Sequence, residues 1–221
     1  MTGYVRLVDT MGTDLTVVNT ARVSFDKESS ALSLADEKLI EYIVKHGHNS
    51  CLRHCVMTFE IYAPMMVKNQ WIKHMVASAH VEDQNGWNES SRRYVTENEV
   101  FYVPEHFLAA PANKKQGAGE PVDEWTNDIY RLALTRFQEQ GVKFYKQAID
   151  DGIAPEEARL FLPAYGLYIR WRWTASLNAI LNFLDQRLDK HAQSQIRAYA
   201  TAVEQEVSQA FPITYKAWKS K

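Results

Sequence analysis

The sequence predicts an α+β fold in a single domain, with a mixed, mostly antiparallel sheet packed against long helices. Two stretches, 54–62 and 167–174, alternate in side-chain character with the period of two that is typical of half-buried strands. Residues 123–150 instead repeat their apolar residues at helical spacing. Because strands and long helices are mixed without a regular strand–helix–strand alternation, we expect α+β rather than a doubly wound sheet.

The N-terminal residues predict a strand followed by a helix. Tyr4 to Val8 alternates towards a short strand that turns at Met11-Gly12. Asp14 stands where a helix-capping residue is expected, and the helix is expected to end within Ala21 to Phe25.

A second helix and a strand are expected before Pro64. Residues 27–36 are polar and rich in serine, which indicates a loop. The apolar face from Leu39 to Val44 then predicts a helix that stops at Gly47. In the strand at 54–62, one face carries Cys55, Met57, Phe59 and Ile61.

The middle of the chain combines a helix with two loops. Pro64 suits the first turn of a helix that is expected to end near Ser78. Residues 79–86 are polar and contain an Asn-Gly turn signal, so they predict a loop that is either an edge of a pocket or a surface excursion. Residues 109–122 are rich in Pro, Gly, Ala and Lys and predict a second loop, the most mobile part of the chain.

A long amphipathic helix is expected at 123–150, with an interruption at Gly141. Its predicted buried residues are Trp125, Ile129, Leu132, Leu134, Phe137, Val142, Tyr145, Ala148 and Ile149.

Helices dominate the remainder of the chain. A short helix begins at Pro155, where Glu156 and Glu157 suit an N-terminal turn. After the strand at 167–174, residues 175–187 predict a helix, and the last helix is expected from Asp189 to about Ala210.

Composition narrows the classes of function. The 221 residues carry a net charge of -2, which gives no case for general binding to a nucleic acid polymer. The sequence has no apolar run of membrane-spanning length, and MTGYVRLVDTMG does not resemble a signal peptide. The two cysteines, Cys51 and Cys55, lack a second cysteine pair, so we expect no metal site despite the neighbouring histidines. A reduced, cytoplasmic protein is the simplest interpretation.

The segment Asn88-Glu89-Ser90-Ser91-Arg92-Arg93-Tyr94 has the highest density of polar groups. Hydroxyls, a carboxylate, an amide and two guanidiniums are suited to binding an anion and a hydrogen-bonding ring. On its chemistry alone the segment fits a solvated surface loop equally well.

Six ordered segments decide between these interpretations: ARVSF, KHGH, QW-x-x-H, NESSRRY, EEARLFLP and NFLDQRLDKHAQ. Together they resemble the flavin-dependent thymidylate synthases over most of the chain, and six segments in order are more specific than one motif. The family has an Arg-His-Arg motif where this chain reads Lys73-His74-Met75.

The resemblance implies the reductive methylation of dUMP to dTMP. It implies FAD as the cofactor, with NADPH and methylenetetrahydrofolate as cosubstrates. It also implies an α+β family fold, a homotetramer with shared active sites, and one domain over residues 1–221.

The resemblance also implies the residues of the site. The expected substrate-binding residues are Gln70, Lys73, Glu89, Ser90, Ser91, Arg92, Arg93, Arg159 and Arg187. The expected flavin-binding residues are Ser24, His48, Ser50, Lys73, His74, Met75, Asn88, Glu89, Asn182 and His191.

Arg187 and Ser91 are the expected catalytic residues. A guanidinium near the uracil would stabilise the negative charge that develops as C5 becomes nucleophilic. Neither cysteine has a context that lowers the pKa of a thiol, and Ser91 has no evident neighbouring base. We therefore expect no enzyme nucleophile.

Three functions remain open at this point. The first is a thymidylate synthase of this family with a divergent flavin site. The second is a protein that binds flavin or nucleotide and has lost methylation. The third is a relative that transfers a different one-carbon group to a pyrimidine nucleotide. The retained Arg93, Arg159, Arg187 and His191 favour the first over the second.

Overall fold

The computed structural model describes residues 2–74, 86–91, 94–95, 99–111 and 117–221. Its strands are β1 (Tyr4–Met11), β2 (Val56–Pro64), β3 (Gly86–Glu89) and β4 (Tyr168–Ser176). Its α-helices are α1 (Asp14–Arg22), α2 (Leu34–Lys45), α3 (Met65–Trp71), α4 (Glu124–Asp150), α5 (Pro155–Ala158), α6 (Leu177–Arg187), α7 (Ser194–Ala210) and α8 (Pro212–Lys219). Short 3₁₀ turns lie at Val23–Phe25, Cys51–His54, Arg159–Phe161 and Ala164–Gly166.

The four strands form one sheet in the order β1-β2-β4-β3. Every pairing between these strands is antiparallel. The α+β class that the sequence predicts is confirmed. The strand β3 was not expected, because four residues are too few for a readable alternation.

One face of the sheet carries the core. Met57, Phe59 and Ile61 of β2 and Trp171 and Trp173 of β4 are at most 1% exposed, as the alternating pattern predicts. They pack with residues from α1, α2, α3, α6, α7 and α8. The helices therefore cover this face of the sheet.

The opposite face of the sheet is polar. Arg6 and Arg172 lie on either side of Glu60 in the register, and each forms an ion pair with that carboxylate. The apolar and polar faces explain why the strand patterns could be read from the sequence.

Asp14 has a different role from the one expected. Thr13, not Asp14, is the N-cap of α1. The carboxylate of Asp14 is 3% exposed and accepts hydrogen bonds from the backbone N–H groups of Ile213 and Thr214. It therefore caps α8, a helix that begins almost 200 residues later in the chain.

The predicted buried face of α4 is largely wrong. Trp125 is 75% exposed, Phe137 63%, Leu132 52% and Ile129 47%. Tyr145 and Ala148 are buried as predicted, and the other buried residues of this helix are Asn127, Gln138 and Gly141. Apolar residues on a helix predict burial but not against which partner, and here they point away from the chain's own core.

Gly141 does not interrupt α4. A Cβ atom at this position would lie 2.7 Å from Cδ of Pro163 and 2.8 Å from the carbonyl oxygen of Phe161. The glycine is needed because the segment after α5 packs directly against the helix backbone.

Several boundaries also differ from those expected. The α-helix after Pro64 ends at Trp71 rather than near Ser78, and a 3₁₀ turn follows at 72–74. The last long helix begins at Ser194 rather than Asp189, and α8 follows it. The predicted loop residues 79–85 and 112–116 lie outside the described residues.

The cap on α8 can be tested by replacing Asp14. We expect Asp14→Ala to lower the free energy of unfolding by about 2–3 kcal/mol, because it leaves buried N–H donors without an acceptor. Urea denaturation measures this change. Asp128→Ala, at an exposed position of α4, serves as the control and should change stability by less than about 0.5 kcal/mol. Equal effects of the two substitutions would contradict the role of Asp14.

Candidate functional site

A cavity of about 1410 Å³ lies between the end of α6, the start of α7 and the middle of α4. Its wall includes Gln70, Tyr102, Phe137, Arg187, His191 and Arg197. It exceeds the roughly 300–1,000 Å³ of a typical small-molecule pocket. The cavity can therefore accept a nucleotide together with a further ring system.

Arg187 occupies the end of α6, where its half-buried guanidinium reaches the cavity. Its Nε donates a hydrogen bond to Nε2 of His74 at 2.8 Å, and one Nη donates to the carbonyl oxygen of Gln70 at 3.3 Å. Both partners are neutral, and no ion pair to Arg187 is found among the described residues. Burial lowers the pKa of Arg187. The positive charge of Arg187 would therefore be stabilised by an anionic ligand.

His74 lies directly behind Arg187 and is 3% exposed. Burial and the adjacent Arg187 charge lower its pKa to about 4. The imidazole is therefore neutral at physiological pH, and its Nε2 is available as a hydrogen-bond acceptor.

Gln70 links α3 to the segment between α6 and α7. Its carbonyl accepts the bond from Arg187, and its side-chain Nε2 donates to Oε1 of Gln193. Gln70 also lines the cavity, so it lies where a ligand in the cavity would contact it.

The segment between α6 and α7, with the ends of both helices, brings charges of both signs to the cavity. Lys190 and Arg197 line it beside Asp185 and Asp189, and Nη1 of Arg197 donates to the carbonyl oxygen of Lys190 at 3.0 Å. The backbone N–H of His191 donates to Asp189 Oδ1 at 2.7 Å, which fixes the turn that presents its imidazole. Lys190 and Arg197 are the groups on this edge that suit a phosphate.

The expected substrate motif begins in the edge strand β3, which holds Asn88 and Glu89, and Ser90 and Ser91 follow it. Ser90 exchanges two hydrogen bonds with Arg170, from its N–H to the carbonyl and from the Arg170 N–H to its Oγ. Oε2 of Glu89 pairs with Nζ of Lys68 at 3.1 Å, and Asn88 lies opposite Arg172. The carbonyl of Ser91 accepts from the N–H of Tyr94. The expected residues Met75, Arg92 and Arg93 lie outside the described residues.

Of the described candidates, only Gln70, Arg187 and His191 line this cavity. Ser24, His48 and Ser50 are exposed near α1 and α2, where the ring of His48 lies 5.4 Å from that of Tyr42. Arg159 is exposed after α5, and its Nε donates to the carbonyl of Glu156. A single copy of the chain therefore does not bring all the described candidates together.

Two further candidates lie near the cavity without lining it. Lys73 is exposed beside His74, on the turn that follows α3. Asn182 is half-buried on α6, and its Oδ1 accepts from Nε2 of Gln186 at 3.4 Å.

Several cavity residues were not found from the sequence. Tyr102 and Gln138 are joined by a hydrogen bond from Gln138 Nε2 to the Tyr102 carbonyl, and Gln195 Nε2 donates to the Tyr102 hydroxyl. These residues come from distant parts of the chain. Other cavity residues, Asp185, Gln186, Asp189, Lys190 and Gln193, lie within the segment NFLDQRLDKHAQ, so the sequence did offer a signal for them.

The described residues offer neither a metal site nor a membrane-spanning helix. No group of three or more His, Cys, Asp or Glu side chains that could hold a metal ion is found there. Within the same part of the chain, no helix is long and apolar enough to cross a membrane.

Comparison with known proteins identifies relatives over nearly the whole chain. The family model for "Thymidylate synthase complementing protein" matches residues 6–213. A flavin-dependent thymidylate synthase from Thermosipho africanus is 34% identical over 216 residues, covering 98% of this chain and 90% of the relative. One from Thermus thermophilus is 36% identical over 219 residues, covering 98% and 76%.

A similar solved structure is the UMP/dUMP methylase PolB from Streptomyces cacaoi bound with 5-Br dUMP. It has a TM-score of 0.84 and 29% identity, covering 99% of this chain and 95% of the other. The same methylase bound with 5-Br UMP also has a TM-score of 0.84, with 27% identity and coverage of 99% and 94%.

The buried His74 makes stability depend on pH. Its pKa falls from about 6.5 in the unfolded chain to about 4 in the folded one, so between pH 6.5 and 4 the unfolded chain binds the proton and the folded chain does not. We expect the melting temperature to decrease as the pH is lowered from 6.5 to 4, and His74→Phe to reduce this dependence on pH. Asp36, with its pKa lowered to about 2 chiefly by hydrogen bonds from Ser33, loses its contribution only at lower pH. Equal slopes in wild type and variant would contradict the assignment.

Proposed function

The chain belongs to the thymidylate synthase complementing protein family, and we propose that it catalyses the reductive methylation of dUMP to dTMP. Methylenetetrahydrofolate is the proposed one-carbon donor, and FAD, reduced by NADPH, is the proposed cofactor. The names of the relatives support the reaction, and the 5-Br dUMP bound to PolB supports the substrate. The observation that carries the proposal for this chain is the half-buried Arg187 with neutral partners on the wall of a nucleotide-sized cavity.

Arg187 is the proposed catalytic residue. When C5 of the uracil becomes nucleophilic, negative charge develops on the ring and its carbonyl oxygens. A guanidinium that is already oriented and partly shielded from water stabilises this charge without a reorganisation cost. Its fixed N–H groups also match the planar edge of the base.

The cysteines support a reaction without an enzyme nucleophile. Cys55 is fully buried, and burial, together with the nearby Asp14, raises the pKa of its thiol to about 12. Cys51 is 7% exposed. The chain has no further cysteine, so a thiolate that attacks C6 of the uracil is not available. Ser91, in the turn after β3, remains a proposed contact to the reacting nucleotide.

The phosphate of dUMP requires several cations. Arg93 and Arg159 are proposed to bind it, together with Arg92. The backbone N–H of Ser90 is not available to the phosphate, because it donates to the carbonyl oxygen of Arg170. Glu89 is the proposed partner of a ribose hydroxyl. Because Arg159 lies away from the cavity of its own chain, it is proposed to serve the cavity of a second copy.

The described flavin candidates carry polar side chains that suit that cofactor. Ser24, His48, Ser50, Asn88 and His191 present hydroxyl, imidazole and amide groups that are exposed or partly exposed, which fits a ligand rich in acceptors and donors. They are proposed to hold the flavin, together with Lys73, Met75, Glu89 and Asn182. When bound, reduced flavin would supply a hydride and relay the methylene group.

A homotetramer with shared sites is the proposed assembly. Tyr130, Phe137 and Phe144 follow one another at seven-residue spacing along α4, and each is more than half exposed. Exposed apolar stripes of this length indicate a protein partner. Phe137 also lines the cavity, so a second chain on this stripe would lie beside the site. One catalytic domain over residues 1–221 and a cytoplasmic location complete the proposal.

The activity is tested by anaerobic incubation with FAD, NADPH, methylenetetrahydrofolate and dUMP, with products measured by mass spectrometry. We expect dTMP only when all four are present, and Arg187→Ala should lower the rate by about 10²–10³-fold. Arg136→Ala, at an exposed position of α4, serves as the control and should retain the wild-type rate.

The same assay separates the alternatives. Bound FAD without product would favour a binding protein, and a product of another mass would indicate a different one-carbon transfer. UMP is included as a second substrate because PolB is a UMP/dUMP methylase. Near-normal turnover by Arg187→Ala would exclude the proposed role of this residue.

The assembly is tested by placing charges on α4. We expect Tyr130→Asp combined with Phe144→Asp to shift the protein from a tetramer to smaller species, because aspartates cannot be buried in an apolar interface. Light scattering after gel filtration measures the mass. Thr201→Asp, at an exposed position of α7, should leave the mass unchanged. A tetramer in both variants would exclude this part of α4 from the interface.

A further inference from the structure

His74 is placed to act on Arg187 rather than on a ligand. It is 3% exposed, whereas the guanidinium of Arg187 is half-buried and reaches the cavity. The 2.8 Å hydrogen bond from Arg187 Nε to His74 Nε2 joins residues 113 positions apart in the sequence. The imidazole therefore stands behind the guanidinium.

The direction of this hydrogen bond is fixed by chemistry. Nε of arginine always carries a hydrogen and cannot accept, so Nε2 of His74 must be the acceptor. In a neutral imidazole the single proton then resides on Nδ1. A protonated imidazole would place two cations in contact.

Ring packing holds the imidazole in place, and a second acceptor holds the guanidinium. Its ring packs edge-on against Phe183 with centroids 5.1 Å apart and an angle of 88°. Phe183 stacks on Trp71 at 4.5 Å, and both rings are completely buried. The backbone of Gln70 adds a second acceptor for the same guanidinium. The acceptors and the packing leave the arginine little freedom to rotate.

We propose that His74 is a positioning residue, which, as the Nδ1–H tautomer, fixes the guanidinium of Arg187 for contact with the base of the nucleotide. This role differs from the flavin contact implied by the family motif. It rests on the proposed function only in taking dUMP as the ligand. The remaining N–H groups of Arg187 face the ligand in a defined orientation, whereas an arginine without this acceptor loses alignment, which can cost up to about a hundredfold in rate.

Two substitutions separate the acceptor from the packing. His74→Phe keeps an aromatic ring against Phe183 but removes the acceptor. His74→Gln places an amide oxygen close to the position of Nε2, so it retains an acceptor for Arg187. We expect His74→Phe to weaken dUMP binding by about tenfold to a hundredfold. His74→Gln should regain most of that loss, and both variants should bind FAD as the wild type does.

A double-mutant cycle tests whether the effect passes through Arg187. In an Arg187→Ala background, His74→Phe should change dUMP binding by less than about twofold. Calorimetry measures the dUMP dissociation constants, and flavin absorbance measures FAD binding. Additive effects of the two substitutions would overturn the proposal. Lost FAD binding with normal dUMP binding in His74→Phe would overturn it as well.

A ligand-free measurement keeps this proposal separate from the proposed function. Nitrogen-15 NMR of the histidine side chains should show Nε2 of His74 as the unprotonated nitrogen in wild type, and this bias should be lost in Arg187→Ala. If the wild-type protein shows this tautomer but does not bind dUMP, the proposed function is wrong, whereas the contact between His74 and Arg187 is supported. A proton on Nε2 in the wild type would overturn the pair.

Discussion

The packing of Trp71 against Phe183, Trp171 and Trp173 is the constraint on which the site depends. The four rings are at most 1% exposed and join α3, α6 and β4 through stacked and edge-on contacts. Rings of this size bury more surface than any other side chain, and their shapes allow few alternative arrangements. Because His74 follows α3 and Arg187 ends α6, the cluster determines the distance between them.

The charge of Arg187 is stabilised by its position in the last turn of α6. The negative end of the helix dipole favours a cation in the last turn, which offsets part of the cost of burial. Ser176 begins α6 directly at the end of β4, where its Oγ accepts from the N–H of Ala179. Because no loop separates β4 from α6, the sheet holds the helix that carries the guanidinium in a fixed position. The arrangement leaves a fixed cation without an ionic partner among the described residues, as electrostatic stabilisation of a reacting base requires.

The sequence predicted the parts of the fold that depend on local pattern. Residues such as Phe59 and Trp171 are buried, as the alternation in β2 and β4 predicts. Leu184, an apolar residue of the helix predicted at 175–187, is buried as well. The pairing of Asp14 with α8 and of His74 with Arg187 joins distant residues, and no local periodicity encodes such contacts. The predicted buried set of α4 was right for Tyr145 and Ala148 but wrong for Trp125 and Phe137, which are exposed. For the candidate site, the motifs supplied Gln70, Arg187 and His191, whereas Tyr102 and Gln138 reach the cavity only through tertiary packing.

The burial of both cysteines has a practical consequence for biophysical work. The thiol of Cys55, fully buried and with a pKa near 12, is almost entirely protonated at neutral pH, and Cys51 is shielded by packing. Maleimides react with accessible thiolates, so the native chain should give little background labelling. A cysteine introduced at an exposed helix position could then carry a single spin label or fluorophore without removal of the native residues. Two such labels on one chain would make distances within the fold measurable while the native thiols remain unmodified.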